Sequence, residues 1–216
     1  MIRTVIFDVD GVLLESTEFR DRAFVYIFRS IGCRDENRIL EIHRKHYGLY
    51  RKKKIILIYE DFFQETPSQT LVDKLHARFT DWILKRVFNC PFVPGAIEFL
   101  ECKGDLPCYI VSAIPEDELG IIVRYHKLDK YFDGIFGSPT RKKAGIESIL
   151  DENGFLPQEA LFIGDRISDF RAAMETGIHF VGRVPEGAEN PFPPQVAILK
   201  DLSALVDYLN LSLSAI

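Results

Sequence analysis

The chain has 216 residues, of which 47% are hydrophobic and 27% charged, with a formal net charge of −5. This is ordinary globular composition, and its acidic balance carries no global signature of nucleic-acid binding. No apolar run approaches the ~20 residues that cross a bilayer, so no membrane partner is expected. The sequence opens directly on a strand-like run, which predicts no secretory signal. Cys33, Cys90, Cys102 and Cys108 form no CxxC pair and read as free thiols in a reducing cytoplasm.

Thr4-Val5-Ile6-Phe7 reads as a buried parallel strand. Asp8-Val9-Asp10-Gly11-Val12-Leu13 follows it. Strand alternation would set Asp8 and Asp10 on one face and Val9 on the other. Two carboxylates so placed repel unless a cation or a shared proton compensates. The carboxyl end of a sheet strand is also where α/β proteins place ligands.

From Ser16 to about Asn89 no strand pattern occurs. Phe19, Ala23, Ile27 and Ile31 recur every four residues, and Leu71, Leu75, Phe79 and Trp82 do much the same after Ser68, read as an N-cap. The segment reads as an inserted helical module. Within it, His43-Arg44-Lys45-His46 and Arg51-Lys52-Lys53-Lys54 form a basic stretch. Most of these residues suit a solvated helix face. His43 and His46 lack a third ligand that would make them a metal site. Pro91, Pro94 and Gly95 mark the return to the main fold.

Further strand-like runs lie at Pro107–Val111, Phe132–Phe136, Ala160–Ile163, Ile178–Val181 and, as a short sixth, Val196–Leu199. Helical patterns lie between them: one opening at Pro94-Gly95, then Glu116–His126, Ala144–Asp151, and Asp169–Thr176 ended by Gly177. The alternation predicts an α/β fold with a Rossmann-like three-layer core, a mainly parallel sheet and helices on both faces. The core takes residues 1–15 and 90–216, and the helical module takes 16–89.

Chemistry-bearing residues follow the later strands in order. Ser112 and Ala113 follow the second, Lys142 and Lys143 come after the third, and Gly164-Asp165-Arg166 with Asp169 follow the fourth. Singly, Ser112 or Asp169 suits a helix cap and the lysine pair suits a solvated turn. Taken in order with Asp8-Val9-Asp10-Gly11-Val12-Leu13, they resemble the haloacid dehalogenase-like hydrolases. The likeness extends to Ile163-Gly164-Asp165 and Asp169-Phe170-Arg171-Ala172-Ala173. The helical module has the position and size of that family's first-type cap.

The resemblance implies a Mg²⁺-dependent phosphatase of a small phosphorylated metabolite, similar to phosphoglycolate phosphatases. It makes Asp8 the nucleophile, forming an aspartyl-phosphate, and Asp10 the general acid and then base. Asp8, Asp165 and the backbone carbonyl of Asp10 would hold Mg²⁺, with Asp169 a ligand or a group orienting the metal's waters. Ser112 and Ala113 would meet the phosphoryl oxygens. Lys142, with Lys143 as the fallback, would offset their charge. Gly48-Leu49-Tyr50-Arg51 with Lys54 resembles a cap segment in which an arginine and a lysine share a helix face toward the substrate.

Dehalogenases of the superfamily lack the acidic residue two after the nucleophile, so Asp10 favours phosphoryl transfer. Two alternatives stand beside this reading. One is a phosphoglucomutase-type transferase, although such mutases carry a histidine where this chain has Phe19-Arg20-Asp21. The other is a non-catalytic binding protein on the same core. Arg166 stands where the family usually has a small residue, as a salt-bridge partner or as a group that narrows the site.

Overall fold

The computed structural model describes residues 1–214, with side chains through residue 210. Six strands form one sheet: β1 (Thr4–Phe7), β2 (Cys108–Pro115), β3 (Gly134–Ser138), β4 (Ala160–Gly164), β5 (His179–Arg183) and β6 (Ile198–Leu199). Their order is β3-β2-β1-β4-β5-β6, and every pair is parallel. The chain winds outward from β1 through β2 and β3, then crosses to β4 on the other side. This reversal opens a crevice beyond the carboxyl ends of β1, β2 and β4, where ligands of such sheets bind.

Alternation along the strands fills both faces. Val5 and Phe7 of β1 point into a core with Ile110, Ile163 and Val181, covered by α5 (Ala96–Cys102), α6 (Glu116–Tyr125) and α9 (Leu205–Ser214). Ile6 points the other way, joining Tyr109, Val111, Phe162 and Phe180 beneath α7 (Lys142–Asn153) and α8 (Ile167–Thr176). Burying each such side chain is worth about 1.5–3 kcal/mol. The result is the expected three-layer α/β arrangement.

Several bounds differ from the sequence expectation. The second strand starts at Cys108, not Pro107, and continues to Pro115 through an irregular register. Val111 pairs with Phe136 and Pro115 with Ser138, so β2 spends four steps where β3 spends two. Ser112 and Ala113 therefore lie in a bulged part of the strand, not beyond it. The third strand begins only at Gly134, because Asp133 closes the entrance with its own amide on the Cys108 carbonyl and its carboxylate on the Cys108 amide.

Residues 16–89 form four helices: α1 (Thr17–Arg29), α2 (Glu36–Lys45), α3 (Arg51–Phe63) and α4 (Gln69–Val87). Phe24, Phe28, Ile55, Ile58, Phe79 and Ile83 make a hydrophobic cluster among them. Asp35 caps α2 by accepting from the Arg38 amide, and Ser68 caps α4 by accepting from the Leu71 amide at 3.3 Å. Lys52 pairs with Asp73 on the surface of the block.

His43 is the buried exception in the basic stretch. It is 2% exposed and stacks on Phe24 at 4.2 Å. Burial, reinforced by the Lys54 charge and opposed by Asp21, lowers its pKa to about 4. The unfolded chain, with an ordinary histidine pKa near ~6.5, takes up the proton first as pH falls, so stability is lost from that pH downward. This group alone should remove about 2 kcal/mol between pH 7.5 and 5. Urea unfolding of the native protein and of His43→Phe should show the native midpoint falling more on acidification. Parallel pH profiles would refute the assignment.

Candidate active site

The crevice beyond β1, β2 and β4 is lined by Asp8, Asp10, Ser112, Ala113, Lys142 and Asp165 from the sheet side, and by Arg20, His43, Arg51 and Lys54 from the helical block. Strand β1 ends at Phe7, so Asp8 and Asp10 stand in the following loop and their convergence does not come from strand alternation. That loop is tight: the Val9 carbonyl accepts from the amides of Val12, Leu13 and Leu14, while Val9 itself is fully buried. Gly11 has φ +73°, and a Cβ there would lie 2.4 Å from Asp165 Oδ2. The glycine lets the first loop close on the fourth strand's carboxylate.

Asp8 Oδ1 accepts from the Val9 amide at 2.7 Å, and Asp8 Oδ2 accepts from Lys142 Nζ at 2.5 Å. The same ammonium donates to Asp169 Oδ1 at 2.6 Å. Lys142 reaches both because it opens α7. Lys143, one residue on, pairs with Glu147 on the exposed side. Asp169 is fully buried and also accepts from the Arg166 amide at 3.0 Å and from Ser168 Oγ. Gly164 makes room for it, since a Cβ there would lie 2.3 Å from Asp169 Cβ.

Carboxylate oxygens of Asp8, Asp165 and Asp169 all lie within 4.8 Å of one another. Burial raises the pKa of Asp8, with Asp169 adding to it and Lys142 opposing. Burial likewise raises Asp165 well above the ordinary range, against the pull of Arg166. Lys142 moves the other way: burial alone would lower its pKa, but Asp169 and Asp8 outweigh burial and keep it charged. The buried carboxylates of Asp8 and Asp169, with the partly buried Asp165 beside them, form an oxygen donor set that suits a hard divalent cation such as Mg²⁺. Asp10 is not part of this set. Its Oδ1 accepts from Ser16 Oγ and its Oδ2 from Arg20 Nε at 2.8 Å. Ser16 consequently makes no side-chain cap on α1, which it precedes.

Ser112 is 2% exposed, and its Oγ accepts weakly from the Ile114 amide at 3.4 Å. Arg166 both pairs with Asp165, Nε to Oδ2 at 3.0 Å, and lies 4.1 Å over the Tyr47 ring, so it ties the loop after β4 to the helical block.

Both members of the basic pair on α3, Arg51 and Lys54, line the crevice. Arg51 lines the crevice but its guanidinium is committed, donating to Glu118 Oε2 at 2.8 Å and Thr80 Oγ1 at 2.8 Å over the Phe79 ring. Glu118 also accepts from Arg20. This glutamate is 1% exposed and holds one arginine from α1 and one from α3. Burial would raise its pKa, but Arg20 and Arg51 outweigh that and lower it. In the sequence Glu118 is indistinguishable from its neighbours Glu116 and Asp117 in a helix's acidic first turn. Lys54 is left as the uncommitted member of the pair.

Comparison with known proteins places this geometry. The family model described as haloacid dehalogenase-like hydrolase matches residues 5–183. The chain belongs to the haloacid dehalogenase-like hydrolases. Among relatives of this hydrolase, a 5'-nucleotidase of Pseudomonas aeruginosa is 27% identical over 186 residues, covering 82% of this chain and 80% of that one. A phosphoglycolate phosphatase of Pseudomonas putida is 24% identical over 231 residues, covering 94% of this chain and 78% of the relative. In structure, a predicted phosphoglycolate phosphatase from Haemophilus somnus superposes with a TM-score of 0.79 at 18% identity, covering 96% of this chain and 98% of that one. Among the described residues, no helix is long and apolar enough to cross a membrane.

Proposed function

We propose that this hydrolase is a Mg²⁺-dependent phosphatase of a small phosphorylated metabolite, working through an aspartyl-phosphate on Asp8. The observation that carries the reading is the convergence of Asp8, Asp165 and Asp169 within 4.8 Å beneath the Lys142 ammonium. The names of the relatives, nucleotidase and phosphoglycolate phosphatase, point to the same class of substrate.

In this reading Asp8 Oδ2 attacks phosphorus and the ester oxygen leaves, taking a proton from Asp10. Asp10, held by Ser16 and Arg20, then accepts a proton from the water that attacks the aspartyl-phosphate and releases phosphate. Lys142 and Ser112 meet the phosphoryl oxygens, with Ala113 beside them, so the charge developing on those oxygens faces fixed donors. Asp8, Asp165 and the Asp10 carbonyl would hold Mg²⁺, with Asp169 a ligand or an orienting group. The ion would screen the repulsion between the phosphate dianion and the anionic nucleophile. Residues 1–15 and 90–216 form the catalytic core, and 16–89 form a cap whose Lys54 and Arg51 line the substrate side of the crevice. The unpaired cysteines suit a cytoplasmic setting.

The test is phosphate release from p-nitrophenyl phosphate and a panel of phosphorylated metabolites. Release should require Mg²⁺, stop with EDTA and return when Mg²⁺ is restored. Release that ignores chelation would contradict the metal assignment. A correctly folded protein with no turnover on any ester would contradict the phosphatase reading.

A further inference from the structure

The crevice carries more positive charge than one phosphate monoester needs. On the sheet side, Lys142 and a divalent ion already answer the phosphate dianion in the function proposed above. The cap adds Arg20 and Arg51, and these share two carboxylates, Asp10 and Glu118. That leaves Lys54. Among the described residues it makes no hydrogen bond and no ion pair, and its Nζ lies 5.1 Å from the centre of the Phe24 ring. An ammonium largely withdrawn from water with no carboxylate in ion-pair contact is expensive. Burial, together with the Arg51 and Arg20 charges and against the pull of Asp10 and Asp21, lowers the Lys54 pKa to about 7.

Two more groups beside it lack partners. Arg20 Nη2 is buried and bonds to nothing, although Nε and Nη1 of the same guanidinium are both used, and the side chain is only 11% exposed. His43 Nδ1 is likewise buried with no hydrogen-bond partner. Its Nε2 lies 3.1 Å from Asp21 Oδ1, a carboxylate that Arg44 and Tyr47 also hold. Buried polar groups in folded proteins normally have partners. Here Arg20, His43 and Lys54 all line the cavity that holds Asp8. The cavity is small, about 100 Å³, against roughly 300–1,000 Å³ for drug-sized ligands.

We propose that Lys54, with Arg20 Nη2 and His43 beside it, receives a second anionic group of the substrate, so that the natural substrate is a small phosphate monoester that also carries a carboxylate or a second phosphate. The inference rests on the phosphatase reading for the position of the first phosphate. It excludes esters whose leaving group is neutral as the preferred substrates. An anion in this place supplies the missing counter-charge for Lys54 and an acceptor for Arg20 and His43 together.

Binding can be separated from turnover by working in an Asp8→Asn background with Mg²⁺ present and measuring dissociation constants by calorimetry. Two matched pairs are compared: 2-phosphoglycolate against 2-hydroxyethyl phosphate, and fructose 1,6-bisphosphate against fructose 1-phosphate. The doubly anionic member of at least one pair should bind about 30-fold more tightly, the size expected for one charge-assisted contact. Preference in the first pair identifies a carboxylate, and preference in the second a phosphate. Adding Lys54→Met should shrink that ratio to about 3-fold, Lys54→Arg should retain it, and Lys53→Met, an exposed change on the same helix, should leave it unaltered. A ratio near one in the Asp8→Asn protein, or one that Lys54→Met does not change, overturns the proposal. Phosphate release by the native enzyme on the same four compounds tests the phosphatase reading separately. Turnover without discrimination would defeat the subsite alone, and discrimination in binding without turnover would defeat the phosphatase reading alone.

Discussion

Asp8→Asn should lower kcat by about 10⁴-fold or more on any phosphate ester the enzyme accepts, since loss of a covalent nucleophile has effects of this order. The geometry explains why this loss would be chemical and not structural. The substitution keeps the size of the side chain and keeps an oxygen that can accept from the Val9 amide, the bond now at 2.7 Å. Lys142 still has Asp169 at 2.6 Å, so no ammonium is left unpaired. One of three crowded carboxylates is removed, which relieves repulsion. The variant should therefore melt within a few degrees of the native protein while losing turnover. Equal activity in the two proteins, measured on separately purified samples, would show that Asp8 is not the nucleophile.

Glu118→Ala should destabilise the protein by about 3–5 kcal/mol, the usual cost of removing one partner from a buried ion pair. Glu118 is 1% exposed, and its two oxygens hold Arg20 and Arg51, with Thr80 also donating at 3.2 Å. Its removal leaves the buried Arg20 with Asp10 as its one carboxylate and the buried Arg51 with none, where α6 meets α1 and α3. For a chain of this length the melting temperature should fall by about 10 °C. Glu118→Gln should be nearly as harmful, because it keeps shape but not charge. Replacing Arg20, Arg51 and Glu118 together by methionine should recover much of the loss, since apolar side chains of similar size can substitute for a buried charged cluster. A loss below about 1 kcal/mol for Glu118→Ala, the range of exposed pairs, would mean that the cap does not rest on the core in this way in solution.

Much of the core was legible because short-range rules govern it. The apolar run Thr4–Phe7, the acidic residues after it, and Asp165 after Ala160–Gly164 follow from strand period and from where parallel sheets place polar ends. Asp8 and Asp10 do meet in one cavity, but by the turn around Val9 and not by alternation, a difference no pattern of two could reveal. The lysine choice depended on helix phase: Lys142 opens α7 and turns inward, while Lys143 turns to solvent.

The cap resisted reading for a different reason. A charge run says nothing of which member meets a carboxylate 67 residues away, as Arg51 does with Glu118. Arg51 and Lys54 share a face as their spacing required, yet Glu118 takes one and leaves the other. Helix α2 has no clear sequence signal because its apolar stripe is narrow, with Ile39 and Ile42 its only buried aliphatic side chains.

The most direct measurement is capture of the phosphoryl group on the enzyme. The protein is mixed with Mg²⁺ and a turned-over phosphate ester, quenched in acid within milliseconds, reduced with borohydride and digested. The account predicts a modified peptide containing Asp8, its residue reduced to homoserine, absent from Asp8→Asn and absent when Mg²⁺ is withheld. Native enzyme that turns over while Asp8 remains unmodified, or modification at another residue, would contradict it.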